Sequence, residues 1–440
     1  MIESLLVANR GEIARRVIRT AKRLGIRAIA VYSEADVGMP FVTEADEAVL
    51  IGPANPAESY RNTEAVLAAA KATGAQAIHP GYGFLSENAD FAKAVVDNGL
   101  IWVGPSSEAI VAMGDKINAR NLMAAAGVPV APGTPDPMDT VEEALAAAER
   151  IGYPVMIKAS AGGGGMGMAP AGDPESLAKE YDKVRGFAER MFGDGSVLVE
   201  RYFPRIRHVE VQILGLADGT VVALGERECS VQRRNQKLVE ESPSPGISEE
   251  TRQRMLAAAV KAGEAVDYRN AGTVECLLDP STGDFYFLEM NTRLQVEHPV
   301  TESVFGIDLV EAQLRVASGL PVEVPTTPSG HAIELRVNAE DPKRFLPGPG
   351  VVKEWVEPEG VRVDSGYGPG TTVTPFYDSL MAKVIVHAPT RAEAIEKAKA
   401  AVAGFTIVGP KCNLPFFAEL LENEEFLSGD YDTGIVGRMR

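Results

Sequence analysis

The sequence predicts an α/β protein that turns α+β toward its C-terminus, and three observations predict it. Strand and helix patterns alternate from Ser4 to Val103. Two apolar strands, Gly272 to Leu278 and Asp284 to Glu289, fold back on each other around Asp279-Pro280-Ser281-Thr282-Gly283. After Pro321 the pattern changes to short strands rich in Gly and Pro, from His331 to His387, closed by a helix from Arg391 to Ala403.

Taken in order, Ser4 to Ala8 reads as a short apolar strand, and Gly11 to Leu24 as a helix with Arg on its outer face. Ile26 to Tyr32 is a strand, Thr63 to Thr73 a helix, Ala75 to Ile78 a strand, Ala89 to Asn98 a helix and Leu100 to Val103 a strand. This alternation describes an open parallel sheet flanked by helices. The turn after its first strand is Asn9-Arg10-Gly11-Glu12, which is no dinucleotide fingerprint, so fold alone assigns no function. A helix from Asp115 to Ala126 leads into a Pro-rich stretch, Val128 to Pro137, which reads as a domain boundary. A helix from Val141 to Arg150 follows, then a strand from Val155 to Lys158 and the Gly-rich loop Ala161 to Met168. Strands at Ser196 to Glu200, His208 to Leu214 and Val221 to Glu226 precede a helix from Glu249 to Val266.

With 440 residues the chain is long enough for roughly two to four domains. A formal net charge of -18 argues against a nucleic-acid or membrane-surface partner, while leaving room for a local anion site. Cys229, Cys276 and Cys412 lie far apart without metal-ligand spacing, as in a reducing compartment. The start Met1-Ile2-Glu3-Ser4 lacks the pattern of a secretory signal, and no apolar run approaches a membrane span. The expectation is a cytoplasmic protein.

The segment Glu289 to His298 carries the most chemistry. Alternate residues of an extended chain share a face, so Glu289, Asn291 and Arg293 point one way, with Gln295 and Glu297 if the extension continues. Oxygen donors suit Mg²⁺, and a neighbouring Arg suits a small oxyanion. Glu275 stands in an otherwise apolar strand and is costly there unless paired. A hairpin would bring it to Glu289, and a divalent cation carrying nucleotide phosphates would relieve their repulsion. The glycines Gly162 to Gly165 with Gly167, after a strand ending in Lys158, suit a mobile lid over phosphates; a plain hinge is the alternative. The run Glu226 to Lys237 reads equally as a solvated charge run or as part of a site. His208 reads as a structural histidine. The turn-rich His79 to Asn88 lies at the C-terminal end of a strand, where open α/β sheets bind ligands, and offers Tyr82 and Glu87; Ser86 suits a helix cap. Arg336, on an apolar strand, must face a partner.

Six stretches, taken together and in order, resemble the biotin carboxylase family of the ATP-grasp superfamily over essentially the whole chain: Leu6 to Ala14, His79 to Asn88, Met113 to Lys116, Lys158 to Met168, Arg227 to Lys237 and Glu289 to His298. The resemblance implies a Rossmann-like N-terminal (pre-ATP-grasp) domain over 1–114, an ATP-grasp domain over 115–328 with a Gly-rich lid over about 131–203, and a C-terminal biotin carboxylase domain over 329–440. It implies ATP- and bicarbonate-dependent carboxylation of biotin through carboxyphosphate, with Mg²⁺ or Mn²⁺, as the first half-reaction of an acyl-CoA carboxylase. Biotin would arrive on a carrier protein or on a segment outside this sequence, a carboxyltransferase would choose the final acceptor, and the chain would form a homodimer.

Residue by residue, the resemblance implies ATP-binding roles for Lys116, Lys158, Gly163, Gly164, Gly165, Met168, Glu200, Arg201, Phe203, His208, Gln232, Asn235 and Leu277. It implies metal ligation by Glu275, Glu289 and Asn291, and bicarbonate binding by Lys237, Arg293, Gln295, Val296 and Glu297. Glu297 matches the general base, Arg336 the partner of the biotin ureido oxygen, and Tyr82 a position near the biotin ring; Arg293 and Lys237 complete the catalytic set. The lid departs from the family, whose members usually carry Arg or Lys at the position of Met166 and Arg at that of Ala169, while Pro170 removes a ladder donor. That loss of charge predicts a weaker phosphate grip. The alternative readings are another carboxyphosphate- or acyl-phosphate-forming ATP-grasp ligase and a nucleotide-binding, non-catalytic subunit.

Overall fold

The computed structural model describes residues 1–160 and 167–440. The N-terminal sheet is parallel: β1 (Ser4–Val7), β2 (Arg27–Ser33), β3 (Glu47–Gly52), β4 (Ala77–His79) and β5 (Ile101–Trp102), in the order β3-β2-β1-β4-β5. Helices α1 (Gly11–Arg23), α2 (Pro40–Glu44), α3 (Thr63–Thr73) and α4 (Ala89–Asp97) connect it. Asn62 and Asn88 start α3 and α4 by accepting the backbone N–H of Ala65 and Phe91. The strand order reverses beside β1, so the loops after β1 and β4 open a crevice between them. Asn9 ties these two loops together, donating to the carbonyls of Pro80 and Tyr82 at 2.7 Å each.

After α5 (Ser107–Gly114) and α6 (Lys116–Ala125), a smaller unit forms. Its antiparallel strands β6 (Val155–Ala159), β7 (Met168–Ala171) and β8 (Val197–Arg201) stand in the order β7-β6-β8. Helices α7 (Val141–Ile151) and α8 (Pro174–Phe192) cover it, around an apolar cluster of its own that includes Val155, Ile157, Leu177, Tyr181 and Val199. Pro170 lies on the edge strand β7, where a missing donor is tolerated. Ala169 packs against this cluster.

The largest sheet has eight strands. They are β9 (Arg207–Gly215), β10 (Val221–Arg233), β11 (Gln236–Ser242), β12 (Asn270–Leu278), β13 (Phe285–Asn291), β14 (His331–Asn338), β17 (Arg362–Ser365) and β19 (Leu380–Ala388), while β15 (Gly350–Val351) pairs with β18 (Thr372–Val373) and β16 (Glu354–Val356) with β20 (Thr406–Val408) in two small ribbons. The order is β13-β12-β9-β10-β11-β14-β19-β17. Alternation splits the faces. Val209, Val211 and Ile213 of β9 face the apolar side, with Met255 and Ala259 of α9 (Glu249–Glu264). His208, Glu210 and Gln212 face the other side, where α10 (His298–Phe305) packs along β10, β11, β14 and β19. Helices α11 (Leu309–Ala317) and α12 (Arg391–Gly404) complete the layers around this sheet. Among the described residues no helix is long and apolar enough to cross a membrane.

The helix–strand alternation is as expected, with ends shifted by a residue or two except in β10, which runs seven residues past its expected end at Glu226. Sequence reading did not pick out β3, β11, α8, α10 or α11. It also left Glu226 to Lys237 open between a solvated run and a site, whereas Glu226, Arg227 and Glu228 are buried in β10.

Candidate active site

A row of charged side chains crosses four strands of the large sheet. Glu289 of β13 stands opposite Glu275 of β12, Glu275 opposite Glu210 of β9, and Glu210 opposite Arg227 of β10. A β-bulge places Glu289 in this row: Cys276 pairs with Phe287 but Glu275 pairs with Glu289, which leaves Leu288 as the extra residue. Phe287 and Met290 can therefore both face the apolar cluster while Glu289 and Asn291 face the cavity.

Three buried carboxylates meet at one ammonium. Lys237 Nζ donates to Glu210 Oε2 at 2.6 Å, Glu275 Oε1 at 2.9 Å and Glu297 Oε1 at 2.7 Å. Burial would lower the Lys237 pKa, but Glu210, Glu275 and Glu297 outweigh it and raise it well above the ordinary value. Burial would raise that of Glu275, but Lys237 and His208 hold it below the usual carboxylate range. His208 Nε2 lies 2.9 Å from Glu275 Oε2, and this pairing, against the pull of burial, raises the imidazole's pKa. Asn291 Nδ2 and Gln295 Nε2 donate to Glu275 Oε1 at 2.8 and 3.1 Å. Burial, then repulsion from Glu275, raises the pKa of Glu289. Two close carboxylates and an amide oxygen, one acid resisting ionisation beside the other, form a donor set that fits a hard divalent cation.

The chain after Asn291 does not stay extended. β13 ends there, and residues 292–297 turn into α10, with Glu297 at its N-cap. The side chains converge nonetheless, held by hydrogen bonds instead of strand alternation. Arg293 donates to Glu87 Oε2 at 2.8 Å, to Asn291 Oδ1 at 3.0 Å and to Gln295 Oε1 at 3.1 Å. Glu87 thus ties the loop after β4 to this segment. Arg336 Nη2 donates to Glu297 Oε2 at 2.9 Å and also pairs with Glu240. Glu297 is fully buried, behind the cavity wall. Burial would raise its pKa, but Lys237, Arg336 and Arg227 drive it well below the ordinary value.

The cavity in front has a volume of about 1090 Å³. Its wall includes the metal-type ligands, Lys237, Arg293, Gln295, Val296, Arg336 and Tyr82. Lys116, Lys158, Met168, Glu200, Arg201, Phe203, His208, Gln232, Asn235 and Leu277 line the same cavity. Lys158 pairs with Glu200 across adjacent strands. Phe203 stacks on Tyr286 with ring centroids 4.9 Å apart. Asn235 comes to the wall through a two-residue turn in which Arg234 and Asn235 both have positive φ, 51° and 65°, as a tight hairpin demands. Gly163, Gly164 and Gly165, with Met166, lie outside the described residues. Sequence reading missed Glu210, Glu12 and Glu240. The alternation His208, Glu210, Gln212 in an otherwise apolar strand was the signal for the first.

Family models match three successive stretches of the chain. Residues 1–110 match the family described as biotin carboxylase, N-terminal domain; residues 115–324 match the carbamoyl-phosphate synthase L chain, ATP binding domain; residues 334–438 match the biotin carboxylase C-terminal domain. Biotin carboxylase 2 of Bacillus subtilis is 49% identical over 99% of both chains. A biotin carboxylase of Halalkalibacterium halodurans is 50% identical, over 99% of this chain and 97% of the relative. Among solved structures, a biotin carboxylase complex from Campylobacter jejuni superimposes with a TM-score of 0.95 at 45% identity, covering 100% of this chain and 99% of that one. The biotin carboxylase domain dimer of Hydrogenobacter thermophilus 2-oxoglutarate carboxylase, solved with MgADP and bicarbonate, gives 0.94 at 43% identity, with 100% and 98% covered.

Proposed function

The chain belongs to the biotin carboxylase family, and from that premise we propose how its residues divide the work of carboxylating biotin with ATP and bicarbonate. The protein is an ATP-dependent ligase, and the family match favours this activity over other ATP-grasp ligases and over a non-catalytic role. Glu275, Glu289 and Asn291 would hold a Mg²⁺ or Mn²⁺ ion, whose charge spreads over the nucleotide phosphates. Lys116, Lys158 and His208 line the same cavity. The unit built on β6, β7 and β8 acts as the lid that keeps water from carboxyphosphate.

Arg293, Gln295, Lys237 and the Val296 backbone position bicarbonate. Glu297 takes its proton, and the resulting oxyanion attacks the γ-phosphorus of ATP, giving ADP and carboxyphosphate. Carboxyphosphate then yields CO₂ and phosphate, phosphate takes the N1 proton of biotin, and N1 bonds to CO₂. Arg336 steadies the charge on the ureido oxygen by a charge-assisted hydrogen bond, with Tyr82 beside the ring. In the structure at hand Lys237 and Arg336 both hold Glu297, which makes it a weak base. Turning those cations toward substrates strengthens it, so proton removal waits for a filled site.

The observation that carries the reading is Lys237 joining Glu210, Glu275 and Glu297 beside Arg293 and Arg336. ADP release with free biotin and bicarbonate tests it. In Glu297→Gln the biotin-dependent rate is expected to fall about 100-fold or more, with ATP binding retained. Undiminished biotin-dependent turnover in that variant removes Glu297 as the base. The biotin is presented by a carrier component, the working form is a homodimer, and the protein works in the cytoplasm. A separate carboxyltransferase selects the acceptor, in line with relatives named for pyruvate and for methylcrotonoyl-CoA.

A further inference from the structure

Lys383 has no part in the roles above, yet it contacts Val296 directly and is linked to Tyr82 through Glu12. It stands on β19 opposite Arg336 of β14 and opposite Asp364 of β17, and it is fully buried. An ammonium out of water needs partners. Lys383 Nζ donates to the Val296 carbonyl oxygen at 2.8 Å and forms an ion pair with Glu12 Oε1 at 3.2 Å. The same Glu12 oxygen accepts the Tyr82 hydroxyl. Glu12 is itself buried, in the first turn of α1.

The path Tyr82–Glu12–Lys383–Val296 therefore joins four separate pieces of chain: the loop after β4, the start of α1, strand β19 and the turn into α10. The Val296 carbonyl belongs to the same rigid peptide plane as the Glu297 nitrogen. A bond to that oxygen fixes where the Glu297 side chain begins. Lys383 lies behind the cavity wall, while Tyr82 and Val296 are part of it. Two further acids, Asp364 and Glu334, act on the ammonium through charge without a hydrogen bond to it. Asp364 accepts from Arg362 at 2.7 Å, and neither oxygen of the fully buried Glu334 accepts a hydrogen bond among the described residues.

We propose that Lys383 is a positioning residue that sets the distance between the biotin-facing Tyr82 and the peptide leading into Glu297. It touches no substrate. It acts by holding, through Glu12 on one side and the Val296 carbonyl on the other, two groups that must meet biotin and bicarbonate in one geometry. A misplacement of about 1 Å costs on the order of 100-fold in rate, so a tether between them bears on turnover. This inference rests on the reading of the site under Proposed function and deepens it.

The test measures biotin-dependent ADP release by the full chain, with KM determined separately for biotin and for ATP. In Lys383→Met, KM for biotin is expected to rise about tenfold and kcat to fall about tenfold or more, while KM for ATP stays within about threefold. Equal losses in all three parameters, or none, overturn the proposal. Glu12→Gln keeps the bond from Lys383 to Val296 and weakens the Glu12 link to Lys383 and Tyr82. It is expected to raise KM for biotin about threefold or more and to lower kcat less than Lys383→Met does. An unchanged KM for biotin in Glu12→Gln overturns the proposal even if Lys383→Met does not fold. Wild-type protein without any biotin-dependent ADP release would instead sink the underlying reading of the site.

Discussion

Glu241 shows what one buried carboxylate contributes when its partners are complete. It sits on β11 and accepts hydrogen bonds from Arg391 Nε at 2.7 Å and Nη2 at 3.0 Å and from Tyr431 Oη at 2.5 Å, with His331 Nε2 also 2.5 Å away. Burial would raise its pKa, but the bonds from His331 and Arg391 outweigh burial and hold it at about 2. A depressed folded-state pKa means stability that is present above the unfolded value and lost as pH falls through the folded one. The expected acid limb for this residue therefore runs from about pH 4.5 down to about 2. Arg391→Met should cost about 3 kcal/mol at pH 7, because it leaves a buried charge short of a partner, and should shallow the acid limb. Thermal unfolding of both proteins from pH 7 to 2 checks this; parallel pH profiles would exclude it. The same logic made part of the site legible from sequence. Glu275 stands out because an acid in an apolar strand needs a partner. Lys383, in Leu380-Met381-Ala382-Lys383-Val384-Ile385, carries an equal signal, and its meaning depends on Glu12, which only the fold brings near.

At the scale of elements, the hairpin of β12 and β13 and the N-terminal alternation were legible because period and turn chemistry agree there. Strand β11 was hidden because its residues Gln236 to Ser242 are mostly polar or charged, and their partners lie on β10 and β14. Helix α8 was hidden because its buried stripe is narrow, Leu177, Tyr181, Val184 and Ala188, among many charges. The stretch after Asn291 misled for another reason: hydrogen bonds from Arg293 aim the side chains where strand alternation was expected to aim them. The bulge gives a sharper test. Leu288 is the unpaired extra residue, so removing it leaves Phe287 and Glu289 as neighbours with the parity they already have. Deleting Leu288 is thus expected to leave Mg²⁺-dependent nucleotide affinity within about tenfold of wild type, whereas deleting Met290 turns Asn291 to the apolar face and abolishes it. Calorimetric titration of the two deletions decides the matter, and equal loss in both would refute the bulge assignment.

At the scale of the molecule, the active site stands on a sheet that the division at 328/329 would cut. Strands β14, β19 and β17 continue the sheet of β9 to β13, with Val239 of β11 opposite Leu335 of β14. One apolar cluster runs from Ile13 and Val17 of α1 through Leu238 and Leu335 to Val384 and Ala394, so both ends of the chain share a core. The unit of β6, β7 and β8 has a separate cluster. Cooperative folding should follow these cores instead of the order of the sequence. A chain ending at 328 would keep Lys237 and the metal-type ligands but lose Arg336 and Lys383. It would also bare β11 as an open edge next to Leu238 and Val239, which invites pairing with other chains. The expected outcome is a truncated protein that associates into large species on size exclusion and shows no cooperative unfolding transition. A monomeric chain of residues 1–328 with the wild-type melting temperature would mean that the shared sheet and core contribute little, and with them the coupling of Arg336 and Lys383 to the rest of the site.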